Sequence, residues 1–489
     1  MNQTTAPGGS PMGTGAFGSP TTGFGTSGYR TYVLVSLLVV YTFNFIDRVL
    51  IGVVAEPLIR EFQLQDWQFG LLSGFGFALL YTILGIPIAR AAETHNRVTI
   101  IAICVALWSA MTALCGLANS FLMLLVFRVG VGVGEAGCTP PANSLIADYF
   151  IPKARATALG VYAMGVTLGG VLANLFGGPI AQALSWREAF IYLGLPGILL
   201  AIVIKLTIKE PPRGFTDNAA PNGDGAAEAV TPTKPAHMAP RAKFGEALRE
   251  LGSKASYWYM TVGATIAAFC GYGVSNFQSP YLQRNLGLTV GEAAVQFNVP
   301  IALASALGTV MLGFIVEKIT PRHPNAIAWL PATGLIASVP LYYVGFNTED
   351  PTLALVALAM AGLSKYGYLT AQYTIGQGVV GMRTRATAIA ILLFIVNLIG
   401  YGLGPLFVGA VSDGAIDFFL SGTEYADTLN RFICKGDLSE LEAAAADVCR
   451  VANGQGLRFA MTLITSFYAI AGIAFLLAGR NLQKDLVSR

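Results

Sequence analysis

The chain has 489 residues, 54% of them hydrophobic and only 12% charged, with a mean hydropathy of +0.60, which excludes a water-soluble globular protein and makes lipid the main solvent. Its net charge of +3 is spread along loops, which excludes the basic face a nucleic-acid partner needs.

Residues 1–28 are rich in Gly, Thr and Ser and lack a charged segment followed by an apolar one, so 1–30 is predicted to be a disordered tail and not a cleaved leader. From Tyr32 onward, apolar runs recur, each long enough to cross a ~30 Å hydrocarbon core as a helix of about 20 residues. Twelve spans are predicted: 31–54, 68–92, 98–118, 121–148, 156–183, 187–208, 257–283, 291–318, 325–346, 352–379, 385–414 and 457–479. Six precede and six follow the polar stretch 209–254, which opens with Glu210-Pro211-Pro212-Arg213-Gly214. The fold class expected is an all-α membrane protein, twelve transmembrane helices in two pseudo-symmetric six-helix bundles, 31–208 and 255–480. The second includes an external loop, 416–455, and a tail follows at 481–489.

A charge inside an apolar span costs several kcal/mol at ~2.5–3.5 per residue on insertion scales, so each one is a functional candidate. The first span carries Asn44, Asp47 and Arg48 after Phe43. Adjacent helical residues point about 100° apart, so Asp47 and Arg48 address different neighbours. Asp47 is the leading protonatable group; the alternative is a fixed ion pair that locks helix packing. In the fourth span, Arg128 and Glu135 lie about two turns apart on nearly one face, with Gly130, Gly132 and Gly134 between them leaving a groove for another backbone or a substrate. Glu135 is the second proton-coupling candidate, and Arg128 a binding or gating one. Lys365 is the strongly charged residue inside a second-half span; it attracts an anionic group or snorkels its stem toward an interface. Tyr272 and Asn397 complete the set read as substrate-binding or gating.

Several segments repeat between halves, at similar offsets. Arg155-Ala156-Thr157-Ala158-Leu159 matches Arg385-Ala386-Thr387-Ala388-Ile389, and Asn174, Gly178 and Pro179 match Asn397, Gly404 and Pro405. The loop with Glu93 and Arg97 matches the one with Glu317 and Lys318, and both are expected at an inner gate. Near the end of the linker, Phe244, Leu248 and Leu251 recur at helical spacing among charges, which suits either a helix on the membrane surface or a solvated loop.

With both termini inside, the inner segments hold 20 of the 30 Lys and Arg, the outer loops 7 and the spans 3, so both ends are expected in the cytoplasm. Cys434 and Cys449 then fall in an outer loop, where an oxidising compartment permits a disulfide. Cys104, Cys115, Cys138 and Cys270 are expected as small core residues. The three histidines, His95, His237 and His323, lie in inner loops without metal-ligand spacing, so neither a metal nor an enzymatic role is expected. There is no GxxxxGK[ST] loop to use ATP; no cofactor is expected, and ion coupling or a solute gradient is left as the driving force.

The loop Ala89 to Arg97 resembles the loop between helices 2 and 3 of the major facilitator superfamily, with Glu93 at the usual Asp position and Thr94 at the usual Arg. Asn44 to Arg48, Arg128 to Ala136, Ser144 to Phe150, Glu210 to Gly214, and Asn397 through Gly404-Pro405 to Ser412-Asp413 together resemble the spinster family of lipid transporters. The resemblance implies proton-linked or facilitated movement of lysophospholipids, sphingosine phosphates or related amphipaths by alternating access, with Asp47, Arg48, Arg128 and Glu135 as the coupling and binding cluster. A monomer in a bacterial inner membrane is expected, its partners the bilayer and a small amphipathic or anionic solute. Drug or organic-anion efflux is the competing reading, and a non-transporting receptor on a carrier scaffold the reading from another class.

Overall fold

The structure, a computed structural model, describes residues 18–19, 21–217, 244–381 and 383–486. Most of the predicted tail, 1–30, and most of the linker, 209–254, lie outside the described residues.

Twelve long helices form two bundles. In the first half they are α1 (Ser27–Val53), α2 (Asp66–Thr94), α3 (Arg97–Cys115), α4 (Phe121–Tyr149), α5 (Pro152–Ala183) and α6 (Trp186–Thr207). In the second they are α7 (Ala255–Leu286), α8 (Val290–Ile319), α9 (Ala326–Asn347), α10 (Pro351–Gly378), α11 (Arg385–Leu420) and α12 (Ala443–Asp485). Eleven are apolar enough throughout to cross a membrane by composition alone; α7 carries more polar groups. It hides three of them by bonding to the preceding turn: Thr261 Oγ1 donates to the Tyr257 carbonyl (2.8 Å), Thr265 Oγ1 to Thr261 (2.7 Å) and Asn276 Nδ2 to Tyr272 (2.9 Å). A hydroxyl or amide satisfied within its own helix can be buried without a partner elsewhere.

The duplication seen in the sequence is repeated in backbone detail. One π-helical stretch interrupts each of α2 (Leu71–Phe75), α5 (Ala173–Gly177), α8 (Ala293–Asn298) and α11 (Val396–Tyr401), the second and fifth helices of each half. Helix α4 breaks between segments Phe121–Glu135 and Thr139–Tyr149, and α10 between Pro351–Lys365 and Tyr368–Gly378, with segments of 15 and 11 residues in both. Such interruptions free backbone groups, and in membranes they collect where helices line a cavity or pack closely.

Three boundaries differ from expectation. Part of the predicted tail is ordered: Phe24 is buried edge-on against Tyr149 and Phe215, and the Thr26 side chain caps α1 at Tyr29 N (3.2 Å), so α1 starts earlier. The linker's first residues, through Asp217, pack on the first half, while Phe244–Gly252 is helical. The loop read as 416–455 shrinks to 421–442, because α11 continues to Leu420 and the alanine-rich run from Ala443 extends α12 to 43 residues.

The two sides of the molecule are named here by what they carry. The tail face holds the start of α1 and the end of α12; the disulfide face holds 421–442, whose Cys434 is bonded to Cys449 of α12.

Candidate functional site

In the last third of α1, Asp47 and Arg48 turn to different neighbours, as their spacing requires. Arg48 Nε donates to Glu135 Oε2 of α4 at 2.5 Å, with the Glu135 side chain fully buried and that of Arg48 12% exposed. The guanidinium also lies against the rings of Phe45, Phe77 and Tyr81, 4.6 to 5.2 Å from their centroids, which stabilises a cation deprived of water. Asp47 is fully buried, and among the described residues neither carboxylate oxygen has a hydrogen bond of 3.5 Å or less, the Thr112 hydroxyl being near enough to act on it. Arg128 approaches it by donating from Nη1 to the Asp47 carbonyl oxygen at 3.3 Å, while Arg128 Nε and Nη2, both amide atoms of Asn44 and Glu135 Oε1 are also buried without partners. Four charged side chains and an amide thus crowd one small volume, only partly satisfied. A carboxylate held so is costly in its charged form.

The glycines of α4 make this proximity possible. A Cβ on Gly132 would come within 2.7 Å of the Phe77 carbonyl of α2, and one on Gly134 within 2.7 Å of the Trp108 amide of α3. Neither position accepts a larger residue without moving a backbone.

Between the halves lies a space lined with tyrosines. The Tyr272 and Tyr401 rings meet edge-on at 4.3 Å, and Tyr401 in turn packs on Phe77 of the other half at 5.1 Å. Tyr373, in the second segment of α10, is 41% exposed. Arg48 reaches the same space from the first half.

In the second half, Lys365 ends the first segment of broken α10, as Glu135 ends that of α4. The two are 230 residues apart, the separation of Arg155 and Arg385, so an acid and a base occupy equivalent positions. The ammonium of Lys365 sits 4.8 Å from the Tyr366 ring, 5.3 Å from Tyr342 and 5.7 Å from Tyr468. Where Arg48 answers Glu135, only rings answer Lys365; no carboxylate pairs with it among the described residues.

The disulfide face is sealed by bonds that cross from half to half. Asp66, fully buried at the start of α2, receives both terminal nitrogens of Arg284 (2.9 Å each), Ser412 Oγ (2.7 Å) and Lys435 Nζ (2.7 Å). Arg284 Nε also donates to Glu56 at 2.7 Å. Asp413 of α11 accepts from the Asp66 and Trp67 amides at 3.0 and 2.8 Å. Ser279 Oγ donates to the Val53 carbonyl (3.2 Å) and the Gly291 amide to Gln182 (2.9 Å). None of Glu56, Asp66, Arg284 or Lys435 was singled out from sequence. The pattern that could have pointed to them is Ser412-Asp413, a polar pair near the end of an apolar span.

On the tail face, the bonds of Arg97 close within the first half and its linker. Arg97 pairs with Asp148 (2.5 Å) and Glu210 (2.6 Å) and donates to Ser144 (2.8 Å), while Gly214 N donates to Asp148 (2.9 Å). Glu210 to Gly214 is therefore the strap that holds the linker to α3 and α4. Glu93 is exposed, and Glu317 and Lys318, the counterparts in the second half, are exposed and form no ion pair among the described residues. Asn397 is half-buried in the π stretch of α11. Phe43 lies near Gly197 of α6. Cys104, Cys115, Cys138 and Cys270 are buried and free.

With this geometry in view, the similarities are specific. The family model described as Major Facilitator Superfamily matches residues 37–405. An MFS-type efflux pump of Mycolicibacterium smegmatis is 31% identical over 389 residues, 79% of this chain and 86% of that one. Protein spinster of Drosophila melanogaster is 26% identical over 395 residues, 78% of this chain and 62% of the fly protein. Among solved structures, a bacterial homolog of the human lysosomal transporter spinster, described as inward-facing and unoccupied, is 43% identical with a TM-score of 0.83, covering 95% of this chain and all of that one.

Proposed function

The chain belongs to the major facilitator superfamily, and on that premise we propose that it is a secondary active transporter, proton-coupled, that moves an anionic amphipathic solute by alternating access. The observation that carries this reading is Asp47 beside the Arg48–Glu135 pair: a fully buried carboxylate with no hydrogen bond of 3.5 Å or less among the described residues, next to a cation whose side chain stays 12% exposed. A proton neutralises such a carboxylate, and an anion entering the cavity competes with Glu135 for Arg48. Proton and substrate are then linked through one guanidinium, as coupling between two ligands requires. Asp47 and Glu135 are the proton carriers in this scheme, and Arg48, supported by Arg128, is the substrate contact.

Tyr41, Tyr81, Tyr272, Tyr373 and Tyr401 surround the cavity with apolar faces and polar edges, which suits a solute with an acyl or aromatic body and a charged end. Lys365 is the cation the second half would offer to that charged end. Lysophospholipids and related lipids fit the description, as the resemblance to the spinster family implies; drug or organic-anion efflux fits equally, with an MFS-type efflux pump among the relatives. We place both termini in the cytoplasm, which the excess of Lys and Arg on the tail face and a disulfide on the opposite face both support. The closed face is then external, and the cavity faces inward.

The test is uptake into proteoliposomes under an imposed pH gradient, with a panel of lysolipids and organic anions. Flux of an anionic amphipath that follows the gradient supports the reading, and flux indifferent to it rejects proton coupling.

A further inference from the structure

The seal on the disulfide face contains a component that the twelve-helix frame does not supply. Lys435 belongs to neither bundle; it sits in segment 421–442, next to Cys434, and its Nζ reaches Asp66 of the other half at 2.7 Å. The residue is only 9% exposed. Burial and the neighbouring Arg284 push its ammonium below the usual lysine range, while Asp66 and Asp413 draw it back. A charge in that position is kept there by its partners and by whatever holds its backbone.

The disulfide is the covalent anchor of that backbone, beside the Arg431 amide, which donates to Asp417 of α11 at 2.9 Å. The helix before Lys435, Arg431–Cys434, is a single turn, and the apolar cluster beneath the segment is small, with Leu429 and Cys434 its only buried members from 421–442. Cys434 is bonded to Cys449 of α12, with the Cα atoms 4.9 Å apart, and Asn453 Nδ2 donates to the Cys434 carbonyl at 2.8 Å. Both anchors lie on the residue immediately before Lys435.

The charges at the seal explain what the lysine is needed for. Glu56, Asp66 and Asp413 are three carboxylates within one buried cluster; Arg284 and Lys435 are the two buried cations that answer them. Arg60 reaches only Glu56, from the surface. Without Lys435, Asp66 and Asp413 stand side by side with Arg284 alone between them.

We infer that segment 421–442 is a working part of the gate on this face, and that the Cys434–Cys449 disulfide positions Lys435 on Asp66 to hold the halves together. The segment travels with the second half, so opening the face requires Lys435 to leave Asp66. Breaking the disulfide lets it leave while the bundles stay folded. The inference does not depend on which solute is carried or on proton coupling.

Hydrogen exchange reads this contact directly, because the Asp66 and Trp67 amides donate to Asp413 across the seal. The full chain in nanodiscs is compared as wild type, C434S/C449S, K435M and K435R, with helices α3 and α6 as internal standards of folding. Exchange at residues 66–70 is expected to rise about 5- to 10-fold, within the usual range of coupling between sites, in C434S/C449S and in K435M. Exchange in α3 and α6 stays unchanged. K435R keeps the wild-type rate. Combining K435M with C434S/C449S gives no more than either alone, because both remove one contact. Dithiothreitol on the wild type reproduces the effect: the S–S bond breaks, two thiols form, and the reagent supplies two electrons and two protons as it closes to its own disulfide. This arm carries the test if the double serine variant does not fold. Wild-type exchange at 66–70 after loss of the disulfide, or effects of K435M and disulfide loss that multiply, overturns the inference.

Discussion

Asp413 of α11 caps a helix of the opposite half: its two carboxylate oxygens take the Asp66 and Trp67 amides at 3.0 and 2.8 Å, at the first turn of α2. The bond satisfies donors every helix start leaves open, and it does so across the boundary along which the halves must separate. Opening the disulfide face therefore uncaps α2.

Asp66 is where most of these contacts meet, so Asp66→Asn leaves Arg284 and Lys435 buried with half their partner gone. Removing one member of a buried ion pair costs ~3–5 kcal/mol. The purified variant is expected to melt several degrees below wild type, and Ser412→Ala, which removes a single neutral donor, by less. An Asp66→Asn melt equal to wild type would show that the seal contributes little to this conformation.

Gly134→Ala tests the packing that brings α4 to α3. The new Cβ lands 2.7 Å from the Trp108 amide, which forces a backbone shift at a cost of ~1–3 kcal/mol. The displacement is transmitted to Glu135, the next residue, so transport is expected to fall along with the melting temperature. Gly170→Ala, where nothing lies within 4 Å, is the control and is expected to leave both unchanged.

Lys365→Met removes the second-half cation without changing much volume. If this lysine meets the anionic end of the solute, the variant loses its preference for an anionic lysolipid over a neutral monoacylglycerol of equal chain length, and Lys365→Arg retains it. Competition binding on detergent-solubilised protein measures the ratio. A preference unchanged in Lys365→Met assigns Lys365 to packing among Tyr342, Tyr366 and Tyr468.

Much of the architecture was legible because membranes impose a strong pattern. Apolar runs marked the twelve spans, and the Arg155/Arg385 repeat marked the duplication whose broken helices α4 and α10 the structure shows. Cys434 and Cys449 could be paired from their place in one loop. The geometry of a salt bridge across the bundle could not be read: Asp66 and Lys435 are 369 positions apart, and neither lies in the interior of an apolar run, so nothing local marked either as functional. Direction was also hidden. Phe43 and Arg48 share α1, but that Arg48 meets Glu135 of α4 while Phe43 lies near Gly197 of α6 follows only from how the helices pack. The early start of α1 depended on Phe24 finding Tyr149 and Phe215, contacts with no trace in a Gly- and Thr-rich segment.

The Arg48–Glu135 pair should respond to substitution in a way that separates chemistry from folding. Glu135→Gln removes the negative partner but keeps the shape, leaving Arg48 free for the solute. Substrate exchange across the membrane is expected to persist while net accumulation driven by a pH gradient is lost. A variant that loses both, with a normal melt, places Glu135 in substrate binding and not in proton coupling.

The most direct measurement is proton movement itself. Proteoliposomes containing a pH-sensitive dye, with membrane potential clamped, are given an anionic amphipath that the wild type transports. Substrate-dependent proton flux is expected with wild type and not with Asp47→Asn or Glu135→Gln. Equal proton flux in all three proteins, or substrate flux without any proton flux in the wild type, would contradict a proton-coupled carrier built on Asp47 and the Arg48–Glu135 pair.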